Sequence, residues 1–255
     1  KLIKRLLNAG IMEDGLVKAS DEGTPQGSIL SPLLSNIYLH YVLDLWFSRK
    51  IKRNCRGEAY YFRYADDFVA CFQYRNEAEE FMRMLESRLE GFNLELAQEK
   101  TRNLAFGRYA ESKARQQGKK TETFTFLGFQ HYCGHTRLGH FKVKRRTCAK
   151  KMKQKLNEFA QWCRKARQWL SKGTMIRTAI KKMVGHVGYY GITDNGQQVG
   201  TYLYRASRIL FKWINRKSQR KSYTWKTFRQ AMNMCGWPES VVKIILNPCA
   251  RGAYR

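Results

Sequence analysis

The sequence predicts an α+β fold in which an antiparallel sheet with helices is followed by an all-helical region. Residues 58–72, EAYYFRYADDFVACF, form two aromatic and β-branched runs with Asp66 and Asp67 between them, a pattern typical of a β-hairpin. From about residue 148 the apolar residues instead recur at helical spacing and continue to do so. We therefore place a boundary near residue 147, with residues 1–147 mixed and residues 148–255 helical.

The helical region carries three apolar stripes, which predict three main helices. Their members are Met152, Leu156, Phe159, Cys163, Ala166 and Leu170; Met175, Ile176, Ala179, Ile180, Met183 and Val187; and Val199, Tyr202, Leu203, Ala206, Ile209, Leu210 and Trp213. We expect Trp169 and Trp213 to belong to the core. Two shorter helices are predicted near 224–235 and 239–246, on either side of a Gly-Trp-Pro sequence.

The mixed region contains fewer regular patterns. A long apolar helix is predicted over about 31–47, and an amphipathic helix over 76–90. Further strands are predicted around 92–96 and 102–106, then a basic loop over 107–122, then a strand at FTFLGF with a partner near HFKVKR.

The net charge of +28 is far larger than solubility requires, and it is unevenly distributed. Residues 1–100 carry 14 basic and 15 acidic side chains, whereas residues 101–255 carry 34 basic and 5 acidic ones. The basic part is also rich in Trp, Tyr, Phe, Ile and Leu, so it should fold. This combination predicts a folded domain that binds nucleic acid.

Cysteine and apolar patterns restrict the class of protein further. No stretch approaches the roughly 20 apolar residues of a membrane span, which favours a protein without membrane partners. Seven scattered cysteines indicate free thiols in a reducing compartment. The sequence HYCGHTRLGH brings together His131, Cys133, His135 and His140, but it lacks a CxxC pair, so a hairpin turn is favoured over a zinc site.

Asp66 and Asp67 carry the sharpest chemical signal. Aspartate is a poor strand residue, and two adjacent carboxylates repel each other. A divalent cation would neutralise that repulsion, and hard carboxylate oxygens suit Mg²⁺ or Mn²⁺. The alternative is an ordinary Asp-Asp turn in water. The apolar runs on both sides favour the metal site because they fix the position of the tip.

A series of ordered blocks resembles the reverse transcriptases encoded by group II introns. Tyr64-Ala65-Asp66-Asp67 between apolar strands is similar to their metal-binding motif, and GTPQGSILSPLLSNIYLHYVLD (23–44) to the block that precedes it. LELAQEKT (94–101) and FLGF (126–129) resemble the following block and the primer-grip region. GYYG (188–191) and NRKSQRKSYTWKTF (215–228) resemble the thumb, or maturase region.

This resemblance implies roles for individual residues. Asp66 would ligate the catalytic Mg²⁺ ions, with Mn²⁺ as a substitute, and Asp67 would be a weaker ligand or an electrostatic helper. Tyr64 and Ala65 would lie at the substrate, where the small Ala65 leaves space beside the primer terminus. Lys100 would protonate or neutralise pyrophosphate. Pro25, Gln26 and Gly27 would contact the template and the incoming nucleotide.

The resemblance also implies the architecture and the partners. Residues 1–147 would be a partial palm, and residues 148–255 a helical thumb that binds intron RNA and the template–primer duplex. The substrates would be deoxynucleoside triphosphates, and the setting a bacterial cytoplasmic ribonucleoprotein rather than an organelle. The family's further aspartate, on an upstream strand, has no counterpart in Asp14, Asp21 or Asp44. We therefore expect a fragment that needs an N-terminal fingers and palm segment or chain for activity.

Two alternatives to an intron-encoded polymerase remain open. One is an RNA-binding splicing cofactor without polymerase activity. The other is a related reverse transcriptase that serves CRISPR arrays, phage defence or diversity generation. The intact Asp66–Asp67 pair favours a polymerase, and the thumb-like segment 215–228 favours an intron.

Overall fold

The computed structural model of the protein describes residues 11–13, 16–18, 31–216, 222–239 and 242. Helices and antiparallel strands alternate up to residue 147, and long helices follow, which confirms the predicted α+β class. The chain divides into two compact units between Ala105 and Phe106. The change in secondary structure near residue 147 therefore falls inside the second unit, which contains a small sheet as well as the helices.

The first unit contains two hairpins and two helical segments. Strands β1 (Ile11–Glu13) and β2 (Leu16–Lys18) pair antiparallel, as do β3 (Ala59–Tyr64) and β4 (Asp67–Phe72). Helix α1 (Ser31–Leu39) continues through π-helical turns at His40–Asp44 and Phe47–Ile51 to a last turn at Lys52–Asn54. Helix α2 (Arg75–Glu90) follows β4. The predicted helix over 31–47 thus extends to residue 54.

The core of the first unit lies between the helical segment 31–54, α2 and one face of the β3–β4 hairpin. It is built from Val42, Leu43, Trp46, Phe47, Ile51, Ala59, Phe81, Leu85 and Leu89. Arg88 of α2 donates to the carbonyl oxygens of Val42 and Tyr41 within the first π-helical turn, at 3.1 and 3.4 Å. Its guanidinium also lies 4.3 Å from the Phe92 ring centroid. Arg88 thereby ties α2 to the non-standard part of the neighbouring helix.

The second unit joins a three-stranded sheet to a helical bundle. The elements are α3 (Arg108–Gln116), β5 (Phe124–Phe126), β6 (Phe129–His135), β7 (Phe141–Thr147), α4 (Ala149–Trp169), α5 (Lys172–Tyr190), α6 (Gly196–Asn215) and α7 (Trp225–Met234). The sheet order is β5-β6-β7, antiparallel throughout. His131, Cys133 and His135 lie on β6, and His140 precedes β7, so the predicted hairpin is confirmed.

The three predicted apolar stripes form the core of this unit. Every stripe residue of α5 is buried, as are the α4 residues from Met152 to Ala166. On α6 the same holds except for Ile209 and Trp213, which are half-buried and pack against the cluster. The fully buried Asn195 connects sheet and bundle, because its Oδ1 accepts from the backbone N–H of Thr147 at 2.7 Å and its Nδ2 donates to the Tyr190 carbonyl at 2.8 Å.

Several sequence predictions were wrong in detail. Residues 92–96 and 102–106 form no strands, and the expected loop over 107–122 contains helix α3. Trp169, assigned to the core, is 71% exposed at the end of α4. The predicted helix over 224–235 is present as α7, whereas most of 239–246 lies outside the described residues. Among the residues described, no helix combines the length and the apolar character needed to span a bilayer.

The buried His186 on α5 should make the second unit less stable at acidic pH. It is buried between the rings of Tyr190 and Tyr202, and this burial, with the positive charge of Lys155, lowers its pKa from 6.5 to about 4. Between about pH 6.5 and pH 4, His186 is protonated in the unfolded chain but not in the folded chain. The free energy of unfolding therefore decreases as pH falls through that window.

His186→Phe keeps a ring between the tyrosines but cannot be protonated. We expect it to reduce the acid-induced decrease in the free energy of unfolding by up to about 3 kcal/mol. Urea unfolding of both proteins at pH 7 and pH 4.5 measures it. An unchanged difference between the two pH values in the variant would contradict the assignment to His186.

Candidate active site

The β3–β4 hairpin presents two carboxylates at its tip. Tyr64 pairs with Asp67, which leaves Ala65 and Asp66 as a two-residue turn. Ala65 has a φ of 53°, in the left-handed region that a side chain with a Cβ disfavours by roughly 1–2 kcal/mol. A strained residue at this position persists only where its surroundings hold it, which is common at functional sites.

The carboxylates of Asp66 and Asp67 are both exposed. Within the part of the chain that the structure describes, neither carboxylate has a hydrogen-bond or ion-pair partner. Adjacent like charges raise the free energy of the tip, and nothing in the described surroundings offsets that repulsion. The tip therefore has open acceptor oxygens for a cation or for hydrogen-bond donors of a ligand.

Arg63, the residue before Tyr64, fixes the tip to the helical segment 31–54. Its Nε and Nη2 donate to the two carboxylate oxygens of Asp44, each at 2.7 Å. Its Nη1 donates to Asn36 Oδ1 and to the carbonyl oxygen of Ala65, both at 2.9 Å. One guanidinium thus holds the strained turn residue and the helix together. We call this set of Arg63, Asp44, Asn36 and Ala65 the arginine clamp.

The clamp is electrostatically strong because it is half-buried. The hydrogen bonds from Arg63 lower the pKa of Asp44 against the opposing effect of burial, and Asp44 in turn raises the pKa of Arg63. The neighbouring Tyr61 hydroxyl is buried, which, together with the negative charge of Asp44, raises its pKa. Both members of the pair are therefore charged at neutral pH, in a bidentate geometry that restricts rotation of the hairpin tip.

The two faces of the hairpin differ. Tyr61 stacks on Phe47 of the core, with ring centroids 5.0 Å apart, and Arg63 lies on the same face. The opposite face carries Tyr60, Phe62 and Tyr64, which are 39%, 57% and 66% exposed. The candidate site is therefore flanked by an open aromatic face.

The remaining predicted site residues are only partly placed. Lys100 is exposed on a turn closed by a hydrogen bond from its N–H to the Ala97 carbonyl, and no ion pair joins it to Asp66 or Asp67 in the described structure. Pro25, Gln26 and Gly27 lie outside the described residues, as do Asp14 and Asp21. Asp44 lies in the helical segment, as the sequence indicated, and both of its carboxylate oxygens are engaged by Arg63.

The tip fits magnesium, although its ligand set is small. Across the described ranges, no group of three or more His, Cys, Asp or Glu side chains is arranged to hold a metal ion. Mg²⁺ is commonly bound by one or two carboxylates, with water and substrate phosphates completing its octahedron. Asp66 and Asp67 offer such oxygens without competing partners, so the donor chemistry agrees with the resemblance.

Sequence reasoning missed the arginine clamp. The signal was present, because Arg63 is the only charged residue within the apolar run of β3, and a charge on a core-facing position requires a partner. The partner could not be found from spacing, since Asp44 lies 19 residues earlier on a helix.

Comparison with known families decides the class. Residues 2–131, which include the whole β3–β4 hairpin, match the family described as reverse transcriptase (RNA-dependent DNA polymerase). The protein belongs to the reverse transcriptase family. The predicted membership of the chain in this family is thereby confirmed.

Several curated proteins share shorter segments with this reverse transcriptase. It is 55% identical over 57 residues to an uncharacterized 91 kDa protein in the cob intron of Schizosaccharomyces pombe, covering 22% of this chain and 7% of that protein. It is 37% identical over 93 residues to protein YkfC of Escherichia coli (27% and 24%). It is 55% identical over 49 residues to the group II intron-encoded protein LtrA of Lactococcus lactis (18% and 8%). The matches thus span less than a quarter of each relative's length.

The arginine clamp generates a stability prediction for this reverse transcriptase. In a double-mutant cycle of Arg63→Met and Asp44→Asn, we expect a coupling free energy of about 1–3 kcal/mol at pH 7, because the pair is half-buried and bidentate. Urea unfolding measures it. The coupling should be present above the unfolded pKa of Asp44 and vanish as pH falls through its lowered folded pKa.

The Arg75–Glu79 pair on α2 is the matched control. It also places an arginine Nε 2.7 Å from a carboxylate oxygen, but the Arg75 side chain is 90% exposed. Its cycle should give less than about 0.5 kcal/mol. Equal coupling in the two cycles would show that Arg63 does not anchor the hairpin.

Proposed function

We propose that the protein is an RNA-directed DNA polymerase of the group II intron kind, which also binds intron RNA as a maturase. The observation that carries this proposal is the exposed Asp66–Asp67 tip, which has no hydrogen-bond or ion-pair partner among the described residues and is held by the arginine clamp in a chain of the reverse transcriptase family. Two of the similar proteins are named for introns, which supports the intron setting.

In this proposal, Asp66 holds Mg²⁺ with Asp67 as a second, weaker ligand. The bound ions would activate the primer 3′-hydroxyl and stabilise charge on the leaving pyrophosphate. The protein's own contribution is positional, because the clamp fixes the backbone at Ala65 and so limits where the two carboxylates can move. The small Ala65 side chain and the exposed Tyr64 ring border the space assigned to the primer terminus and the nucleotide.

Further roles complete the proposed active site. Lys100 would neutralise the pyrophosphate, and the exposed position of its side chain leaves it free to do so. Gln26 would contact the template and the incoming deoxynucleoside triphosphate, with Pro25 and Gly27 shaping the turn around it.

The second unit is proposed to hold the RNA and the template–primer duplex. Exposed basic side chains such as Lys150, Lys153, Arg164 and Lys165 line the outside of α4, opposite its buried stripe. Only five acidic residues accompany 34 basic ones after residue 100. A surface of this kind suits a duplex that is recognised by its phosphates and 2′-hydroxyls.

Replacing Asp66 should separate catalysis from binding. We expect Asp66→Ala in the complete protein to lower the rate of primer extension by roughly 100-fold or more, because it removes stabilisation of the charge that develops in the transition state. RNA affinity should stay unchanged. Primer extension on an RNA template and filter binding measure the two effects.

Glu79→Ala is the control, because it removes the same charge from helix α2 of the first unit, outside the hairpin. It should leave both activities unchanged. DNA synthesis retained by Asp66→Ala would remove Asp66 from the metal site. Absence of DNA synthesis from the unsubstituted complete protein, with RNA binding intact, would instead support the splicing cofactor.

RNA affinity should depend steeply on salt and reside in the second unit. Each phosphate contact that releases a counterion contributes about −0.7 to −0.9 to the slope of log K against log[salt]. We expect Arg164→Gln with Lys165→Gln to weaken binding and make the slope less negative. The same charge change in the first unit, Arg49→Gln with Lys50→Gln, should do neither. Equal effects of the two double variants would contradict a specific RNA surface in the second unit.

A further inference from the structure

A cavity of about 610 Å³ lies wholly within the second unit, among α4, α5, α6 and the β5–β6 turn. This volume is in the range of small-molecule sites. Its floor contains the buried Tyr190, Tyr202 and His186, and its wall contains the half-buried Trp162. The residues that line this cavity are distinct from the proposed catalytic residues.

Three lysines and one glutamate surround the aromatic floor. Lys151 and Lys155 lie one turn apart on α4, and Lys182 faces them from α5, while Glu158 is the acidic residue. Among the described residues, none of the three ammonium groups forms an ion pair with a carboxylate. The lining therefore has a formal charge of +2, close to the opposite of a phosphomonoester, which carries about −1.5 to −2 at pH 7.

The lysines of the cavity already lie against aromatic rings. Lys182 Nζ is 5.2 Å from the centroid of Trp162, and Lys155 Nζ is 5.8 Å from that of Tyr190. His186 is uncharged at neutral pH, since burial lowers its pKa to about 4, and its Nε2 has no hydrogen-bond partner in the described structure. The exposed Tyr189 and the half-buried Trp162 thus offer ring surface beside anion-binding groups, as the two halves of a nucleotide require.

Glycines keep the cavity open. Gly128 in the β5–β6 turn has a φ of 77°, and a Cβ there would lie 2.8 Å from the Tyr190 hydroxyl, so a larger residue would displace the floor. Gly185 of α5 lines the cavity, and a Cβ there would meet no atom within 4 Å. A larger side chain at 185 would therefore enter the cavity without disturbing the bundle.

From this lining we propose that the cavity binds one nucleotide, with its base against the exposed Tyr189 ring and the half-buried Trp162 ring and its phosphate on Lys155 and Lys182. The nucleotide has two possible sources, a free nucleoside monophosphate or a nucleotide of a bound RNA strand. This site does not depend on DNA synthesis, and its test requires none.

Calorimetric titration of the complete protein with adenosine 5′-monophosphate, adenosine and inorganic phosphate tests the proposal. We expect one bound monophosphate nucleotide per chain, with adenosine and phosphate each at least tenfold weaker. Lys155→Ala and Lys182→Ala should each weaken binding about tenfold, whereas Lys181→Ala, an exposed neighbour outside the lining, should not. Phosphate binding as tightly as the nucleotide would overturn the proposal.

Gly185→Leu and Gly188→Leu form a matched pair that keeps every charge. Both glycines are exposed on α5 with open space at the Cβ position, but only Gly185 lines the cavity. Gly185→Leu should abolish nucleotide binding and Gly188→Leu should preserve it, with circular dichroism showing both variants folded. Equal nucleotide affinity of the two folded variants would overturn the proposal.

A short single-stranded RNA distinguishes the two sources. If the free nucleotide does not bind, but Gly185→Leu weakens RNA binding at least threefold relative to Gly188→Leu, the nucleotide comes from the strand. If the free nucleotide binds and this RNA affinity is equal in both variants, the site takes free nucleotide. Absence of both effects would overturn the site and leave the proposed polymerase function untouched.

Discussion

The bidentate pair between Arg63 and Asp44 is the interaction on which the first unit's chemistry depends. A two-stranded hairpin is marginal by itself, and its tip here combines a strained Ala65 with two adjacent carboxylates. The same guanidinium that binds Asp44 also donates to the Ala65 carbonyl oxygen. The ion pair therefore also stabilises the conformation of the turn. Without this anchor, the core contacts of Tyr61 would hold the strand but not the orientation of its end.

The two units differ in their electrostatics. The first unit is near-neutral overall, and at one hairpin tip it places the adjacent carboxylates of Asp66 and Asp67, which have no ion-pair partner among the described residues. The second unit spreads positive charge over helices whose buried stripes supply stability independently of that charge. Because exposed charges away from the core change folding little, the basic side chains on the outer faces of the helices can be dense at little cost to the bundle.

The elements that the sequence predicted well are those with a local cause. The stripes of α4, α5 and α6 follow from apolar spacing, and the β3–β4 hairpin follows from β-branched and aromatic runs around a polar tip. The failures have non-local causes. Trp169 adjoins Leu170, which packs against the core cluster, but the neighbouring elements leave the Trp169 side chain 71% exposed. Asp44 and Arg63 meet only because the helical segment packs on the hairpin, and the cavity needs side chains from four elements.

The lysines of the cavity form no ion pair among the described residues, so a bound anion would couple ligand binding to stability. Lys151, Lys155 and Lys182 place like charges around one cavity, and the core beneath them contains His186, which resists protonation because it is already surrounded by apolar rings and Lys155. Positive charge at this place therefore lowers stability, and burial of the floor must offset it. A bound anion reverses the sign of that contribution, since a ligand that binds only the folded state stabilises it by RT ln(1 + [L]/Kd). The second unit should consequently be most stable when a phosphate lies on these lysines, which links occupancy of the cavity to the rigidity of the surrounding helices.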